Sequence, residues 1–280
     1  LIPEFHYHVN WRSPGVHPGH HRSARQGGGY EFAGHTLLTS NPDPRNLDIR
    51  ATLHDPFEQL MVRTFRQRSA IPVYVVADLS ASMGFRGTRS KTELLAEFTA
   101  SVAYTAYRTG DFFGFIGCDS TILQDMLLPL RWHKGAAPEL LENLKNLRPR
   151  GRSSDGLNEV VPYLGKRKAL VFLVSDFHLT LDRLDTLLKA LVRHDVVPVV
   201  LWNSAEFDRL PSWSLVNFED PETGARRRLL MRPALREKIR ASFEKRRDEL
   251  GQIFALHGRE PFFLIDRFDP DELTRYFYRT

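Results

Sequence analysis

The chain has 280 residues, 42% of them hydrophobic, and 39 Lys and Arg against 34 Asp and Glu give it a net charge of +5. That length fits one domain with an extension, and the apolar content supports a packed core. No apolar run approaches the roughly 20 residues that span a bilayer, no signal-type leader opens the chain, and a single cysteine, Cys118, excludes an internal disulfide and points to a reducing compartment.

Residues 1–70 are rich in Gly, Pro and His and read as an irregular, β-rich extension. His6, His8, His17, His20 and His21 could supply imidazoles to a transition metal. No acidic or Cys partner at a diagnostic spacing completes such a site, so His17 to His21 reads as a surface loop. From Ile71 the pattern alternates. A strand at 71–78 precedes a helix at 91–108, opened by the capping-box sequence Ser90-Lys91-Thr92-Glu93 and closed at Gly110. Strands at 112–118 and 121–129 turn at Ser120, and short helices cover 138–147 and 156–164. A strand at 169–175 leads to a helix at 180–193, then a strand at 196–202. Asp220-Pro221-Glu222-Thr223-Gly224 is a turn sequence that places a hairpin insertion near 214–230. A long helix follows at 233–257, with Leu235, Ile239, Phe243, Leu250 and Phe254 on its inner side. A strand at 261–265 and a helix at 270–278 end the chain. Residues 71–280 therefore read as one α/β domain, a largely parallel sheet with helices on both faces.

Three loops of that domain carry hard oxygen groups. Asp78, Ser80 and Ser82 sit just past the first strand, where ligands gather in an open parallel sheet. Asp176 ends the strand at 169–175, and Ser153-Ser154 lie in the polar loop Gly151 to Gly156. Carboxylates and hydroxyls suit Mg²⁺, which prefers oxygen and keeps several waters, with Mn²⁺ or Ca²⁺ as alternatives. An ordinary turn also uses Asp and Ser.

The spacing Asp-x-Ser-x-Ser resembles the metal-ion-dependent adhesion site of von Willebrand factor type A domains. That resemblance implies a type A-like fold and one cation held by Asp78, Ser80, Ser82, Ser154 and Asp176. Ser154 stands where the family has Thr, with Ser153 as the alternative. A partner's carboxylate would complete the coordination. Further upstream, Gly29-Tyr30-Glu31-Phe32 and Asp43-Pro44-Arg45-Asn46-Leu47-Asp48 precede the metal-type strand, and Glu206-Phe207-Asp208-Arg209-Leu210-Pro211 follows it. In this order the stretches resemble the bacterial domain of unknown function fifty-eight, a type A-like family. The resemblance implies a MoxR-type AAA+ ATPase as partner, a client protein that supplies the carboxylate, and a non-catalytic role in assembling or maturing other protein complexes. Pro42 and Pro44 depart from the family's Gly-Asp-Asp, Ile49 stands where a Trp is usual, and the chain lacks the family's Arg near His54.

The catalytic and nucleic-acid classes fit less well. There is no Gly-x-Ser-x-Gly elbow and no His-Glu-x-x-His helix. Gly151 and Gly156 have the glycine step of a phosphate loop, but Leu157-Asn158 replace its Lys and Ser or Thr. A Mg²⁺-dependent hydrolase using the same carboxylates is the runner-up. A basic nucleic-acid module ranks below it, because Arg226-Arg227-Arg228 and Lys245-Arg246-Arg247 read as solvated faces. The expected location is the cytoplasm, with membrane association only through a partner or residues upstream of Leu1.

Overall fold

The computed structural model describes residues 2–13, 18–27, 31–40, 42–57, 59–208, 210, 214–219 and 226–279. His17, the Gly28 to Tyr30 stretch, Arg209, Pro211 and the Asp220 to Gly224 turn lie outside the described residues. The chain divides into two compact units. One comprises His8–Ile71 with Thr109–Asp111; the other comprises Leu1–Tyr7, Pro72–Arg108 and Phe112–Thr280.

The smaller unit holds β1 (Pro18–Gly27), β2 (Glu31–Leu37), the one-and-a-half-turn helix α1 (Ile49–His54) and β3 (Met61–Ser69). The strands form an antiparallel sheet in the order β1-β3-β2, with Val62 and Thr64 of the central strand buried. The stretch Asp43 to Asp48 consists of two caps. Asp43 accepts from the Arg45 amide at 3.1 Å, and Asp48 accepts from the Ala51 amide at 3.1 Å. His35 and Arg63 also hold Asp48, at 3.0 and 3.1 Å. The His35 hydrogen bond first, then the Ala51 amide, bring the Asp48 pKa down to about 2. His21, read from sequence as a loop residue, is buried against Asp111 at 2.8 Å.

The larger unit contains β4 (Pro72–Asp78), α2 (Lys91–Arg108), β5 (Phe112–Cys118), β6 (Ile122–Arg131), α3 (Ala136–Asn146), β7 (Leu170–Ser175), α4 (Leu181–Ala190) and β8 (Asp195–Trp202). After these come β9 (Ser214–Glu219), β10 (Arg226–Met231), α5 (Pro233–Leu256), β11 (Phe262–Ile265) and α6 (Pro270–Arg279). Six strands form one sheet in the order β11-β8-β7-β4-β5-β6, parallel throughout except for β6. Counted along the chain this is the order 3-2-1-4-5-6 of doubly wound folds, which reverses direction between β4 and β7.

The expected α/β class is present. Strands β4 and β7 are continuous apolar runs because both faces of the sheet are covered. On one face Phe172 of β7 meets Phe98 of α2 and Phe277 of α6 edge-on, at ring separations of 5.6 and 6.0 Å. On the other, Val171 and Leu173 pack with Leu184 and Leu187 of α4 and Leu250 and Phe254 of α5. β9 and β10 pair antiparallel as a separate hairpin.

Two element readings change. Residues 156–164 form two 3-10 turns, Asp155–Glu159 and Val161–Leu164, rather than an α-helix. Pro162 has no amide to give to a helix interior, and Gly165 ends the segment at φ +69°. In α5 only the C-terminal half is buried, at Leu250, Ile253 and Phe254, while Leu235 and Ile239 remain partly exposed. No helix among the described residues is long and apolar enough to cross a membrane.

Candidate functional site

The sheet's reversal point brings two carboxylates to adjacent strand ends. β4 and β7 pair in parallel up to Ala77 opposite Val174, so the next residues, Asp78 and the Ser175-Asp176 pair, emerge side by side. The Asp78 side chain is 1% exposed and accepts at both oxygens, from the Ser80 amide at 2.9 Å and the Ser175 hydroxyl at 2.8 Å. Ser80 and Ser82 hydroxyls lie 3.2 Å apart. The third loop is tied to the first through the Ala81 amide, which donates to Gly151 O at 2.8 Å, and through a Ser80–Gly151 bridge.

Both glycines of that third loop have a steric reason. A Cβ on Gly151 would lie 2.2 Å from Asp119 Cβ, and one on Gly156 would lie 2.7 Å from the Thr121 carbonyl. The glycine step therefore lets the loop close on the Asp119 to Thr121 turn.

Asp78, Ser80, Ser82, Ser153, Ser154 and Asp176 all line one cavity, together with His178, Thr180 and Arg183. Ser153 directs its hydroxyl to Asp155 at 3.1 Å, and Arg183 is also bound to Asp155, at 2.6 Å. His178 is exposed and lies parallel to Trp202, with ring centres 6.5 Å apart. Phe177, just past Asp176, is fully buried at φ +52°, a left-handed conformation costly for a bulky side chain. It is held there by its amide on Ser175 Oγ at 3.0 Å and by Arg246, which donates to its carbonyl at 2.6 Å.

The electrostatics are asymmetric. Burial, and then the charge of Asp176, push Asp78 up to about 6. Burial is the largest single influence on Asp176 and works against its ionisation, but the Lys91 ammonium together with His178 and the neighbouring donors outweighs it and holds Asp176 below the usual carboxylate range. Lys91 is 0% exposed and bridges Asp176 at 3.1 Å and Glu206 at 2.8 Å. Burial would lower its pKa, yet the two carboxylates raise it. Glu206 in turn caps the turn after β8, accepting from the Asn203 amide at 2.9 Å.

Sequence reasoning missed Lys91, Glu206 and Ser175. Lys91 stands in the capping sequence, and the Ser90 cap does form, with the Glu93 amide donating to Ser90 Oγ at 3.1 Å. The signal was the charge: a cation in a helix's first turn opposes the helix dipole, so Lys91 needed another reason to be there.

Among the described residues no group of three or more His, Cys, Asp or Glu is arranged to hold a metal ion. A cation here would rely on two carboxylates and serine hydroxyls, a hard donor set that fits Mg²⁺ and not the softer transition metals. Asp78, Asp176 and Glu206 against Lys91 leave a net of two negative charges when all are ionised, which one divalent ion would neutralise.

A family model described as "Protein of unknown function DUF58" matches residues 43–249. A Paracoccus denitrificans relative, described as an uncharacterized protein in the moxR 3′ region, is 37% identical over 98 residues, 35% of this chain and 93% of the relative. Among solved structures, an aerotolerance-related membrane protein from Bacteroides fragilis is 12% identical at a TM-score of 0.44, over 75% of this chain and 98% of that one. The SpRpn10 VWA domain is 11% identical at a TM-score of 0.38, over 75% of this chain and 95% of that one.

Proposed function

Since the chain belongs to the DUF58 family, we propose that it is a non-catalytic, cation-dependent protein-interaction module that works with a MoxR-type AAA+ ATPase in assembling or maturing other protein complexes. The observation that carries this reading is the pair of buried carboxylates, Asp78 and Asp176, set among hydroxyls at the reversal point of the sheet. Asp78, Ser80, Ser82, Ser154 and Asp176 would hold Mg²⁺, some of them through water. Ser154 is preferred to Ser153 because the Ser153 hydroxyl is directed to Asp155.

A cation held there would accept a carboxylate of a partner protein, the ATPase or its client. The chain's own residues do the rest. Ser175 and the Ser80 amide fix both oxygens of Asp78, and the Ser80–Gly151 bridge holds the third loop against the first. Support for the ATPase partner comes from the relative described by its place beside moxR.

Capture of a MoxR-type ATPase by the immobilised chain tests the proposal. Capture is expected in Mg²⁺, and it should be lost in EDTA and in Asp78→Ala. Equal capture in all three conditions would refute cation dependence.

A further inference from the structure

Lys91 is a buried cation between two carboxylates, Asp176 and Glu206, and helix formation does not explain it. It begins α2, where the helix dipole disfavours positive charge. Asp176 and Glu206 hold its ammonium, and the Phe85 ring lies 5.9 Å away, with no access to solvent. Asp176 Oδ2 is committed to Lys91, while Oδ1 accepts from the His178 amide at 3.4 Å.

Resting on the cation site proposed above, we infer that Lys91 is a positioning residue that fixes Asp176 with one oxygen withdrawn and weakens the site's own hold on Mg²⁺, so that firm binding needs the partner's carboxylate. Three carboxylates alone would attract a divalent ion strongly. Lys91 cancels one of those charges from inside the protein, where water screens little. Glu206 acts in the opposite sense. It shares the ammonium, and so keeps Asp176 from being wholly neutralised by Lys91. A purely structural lysine would leave Mg²⁺ affinity unchanged or, when removed, reduced. A detuning lysine raises it.

The test is a calorimetric Mg²⁺ titration of the wild type, Lys91→Met, Glu206→Gln and Asp78→Ala, with thermal unfolding as a check on folding. Lys91→Met should bind about tenfold tighter than wild type, and Glu206→Gln about threefold weaker. A folded Lys91→Met with unchanged or weaker affinity overturns the inference. If that variant does not fold, Glu206→Gln decides, and an unchanged affinity there overturns it. Wild-type binding that Asp78→Ala abolishes, without the opposed shifts, removes the role of Lys91 and leaves the cation site standing. No binding by any chain removes both.

Discussion

Stability without a cation should fall as pH rises, and Asp78 supplies the reason. Burial and the neighbouring Asp176 raise its pKa from the ordinary 3.8 to about 6 in the folded chain. Each decade of proton affinity is worth about 1.4 kcal/mol, so the ionised carboxylate costs the folded state about 3 kcal/mol. The folded state holds this proton more tightly than the unfolded chain does. The contribution is therefore complete below the unfolded value and is lost as pH rises through about 6. Other groups titrate over the same range, so the assay is a difference. Wild type and Asp78→Asn are unfolded with urea in EDTA across this range. Asparagine is close in shape and cannot ionise. Relative to the variant, the wild type should lose about 2.5 kcal/mol between about pH 4 and about pH 7.5. Saturating Mg²⁺ should restore it at the higher pH, because a ligand that binds only the folded state stabilises it. A constant difference between the two proteins across that range would refute the claim that Asp78 is a strained, buried charge.

The other predictions concern packing and reactivity. Phe172→Ala should cost about 3–5 kcal/mol in urea unfolding, since Phe172 is fully buried and its ring meets Phe5, Phe98 and Phe277; a loss under about 1 kcal/mol would contradict the packing. Gly151→Ala should lose about 1–3 kcal/mol by overpacking against Asp119 and should also weaken Mg²⁺ binding by displacing the third loop. Gly251→Ala, in α5 with open space around it, should gain up to about 1 kcal/mol; the reverse order of the two variants in thermal unfolding would count against the loop geometry. Burial, and then the charge of Asp78, raise the Cys118 thiol pKa well above its ordinary value. Ellman's reagent should therefore label it only after denaturant is added, and rapid labelling of the folded chain would show that β5 is accessible.

Legibility followed the range of the forces involved. β4, β7 and β8 could be read directly because a strand covered on both faces is a continuous apolar run. β3 was not read as a strand. Buried Val62 and Thr64 alternate with exposed Arg63 and half-buried Phe65, a weaker pattern than a continuous apolar run. The 156–164 segment has helical spacing of apolar residues, but Pro162 and Gly165 outweigh it. Asp78, Ser80 and Ser82 were legible because their geometry is local, set by one strand end. Asp176 was legible for the same reason. The Lys91–Glu206 pair joins α2 to the turn after β8 across the sheet, and no local pattern announces a contact made only by the fold.

The most direct test of a cation held at Asp78 and Asp176 is anomalous diffraction from crystals grown with Mn²⁺, comparing wild type with Asp78→Ala. The account predicts one strong peak in the wild type between the ends of β4 and β7, within ligand distance of Asp78, Ser80 and Ser82 and facing Ser154, and no peak there in the variant. A wild-type crystal with no peak at that point, or a peak that survives Asp78→Ala, would contradict it.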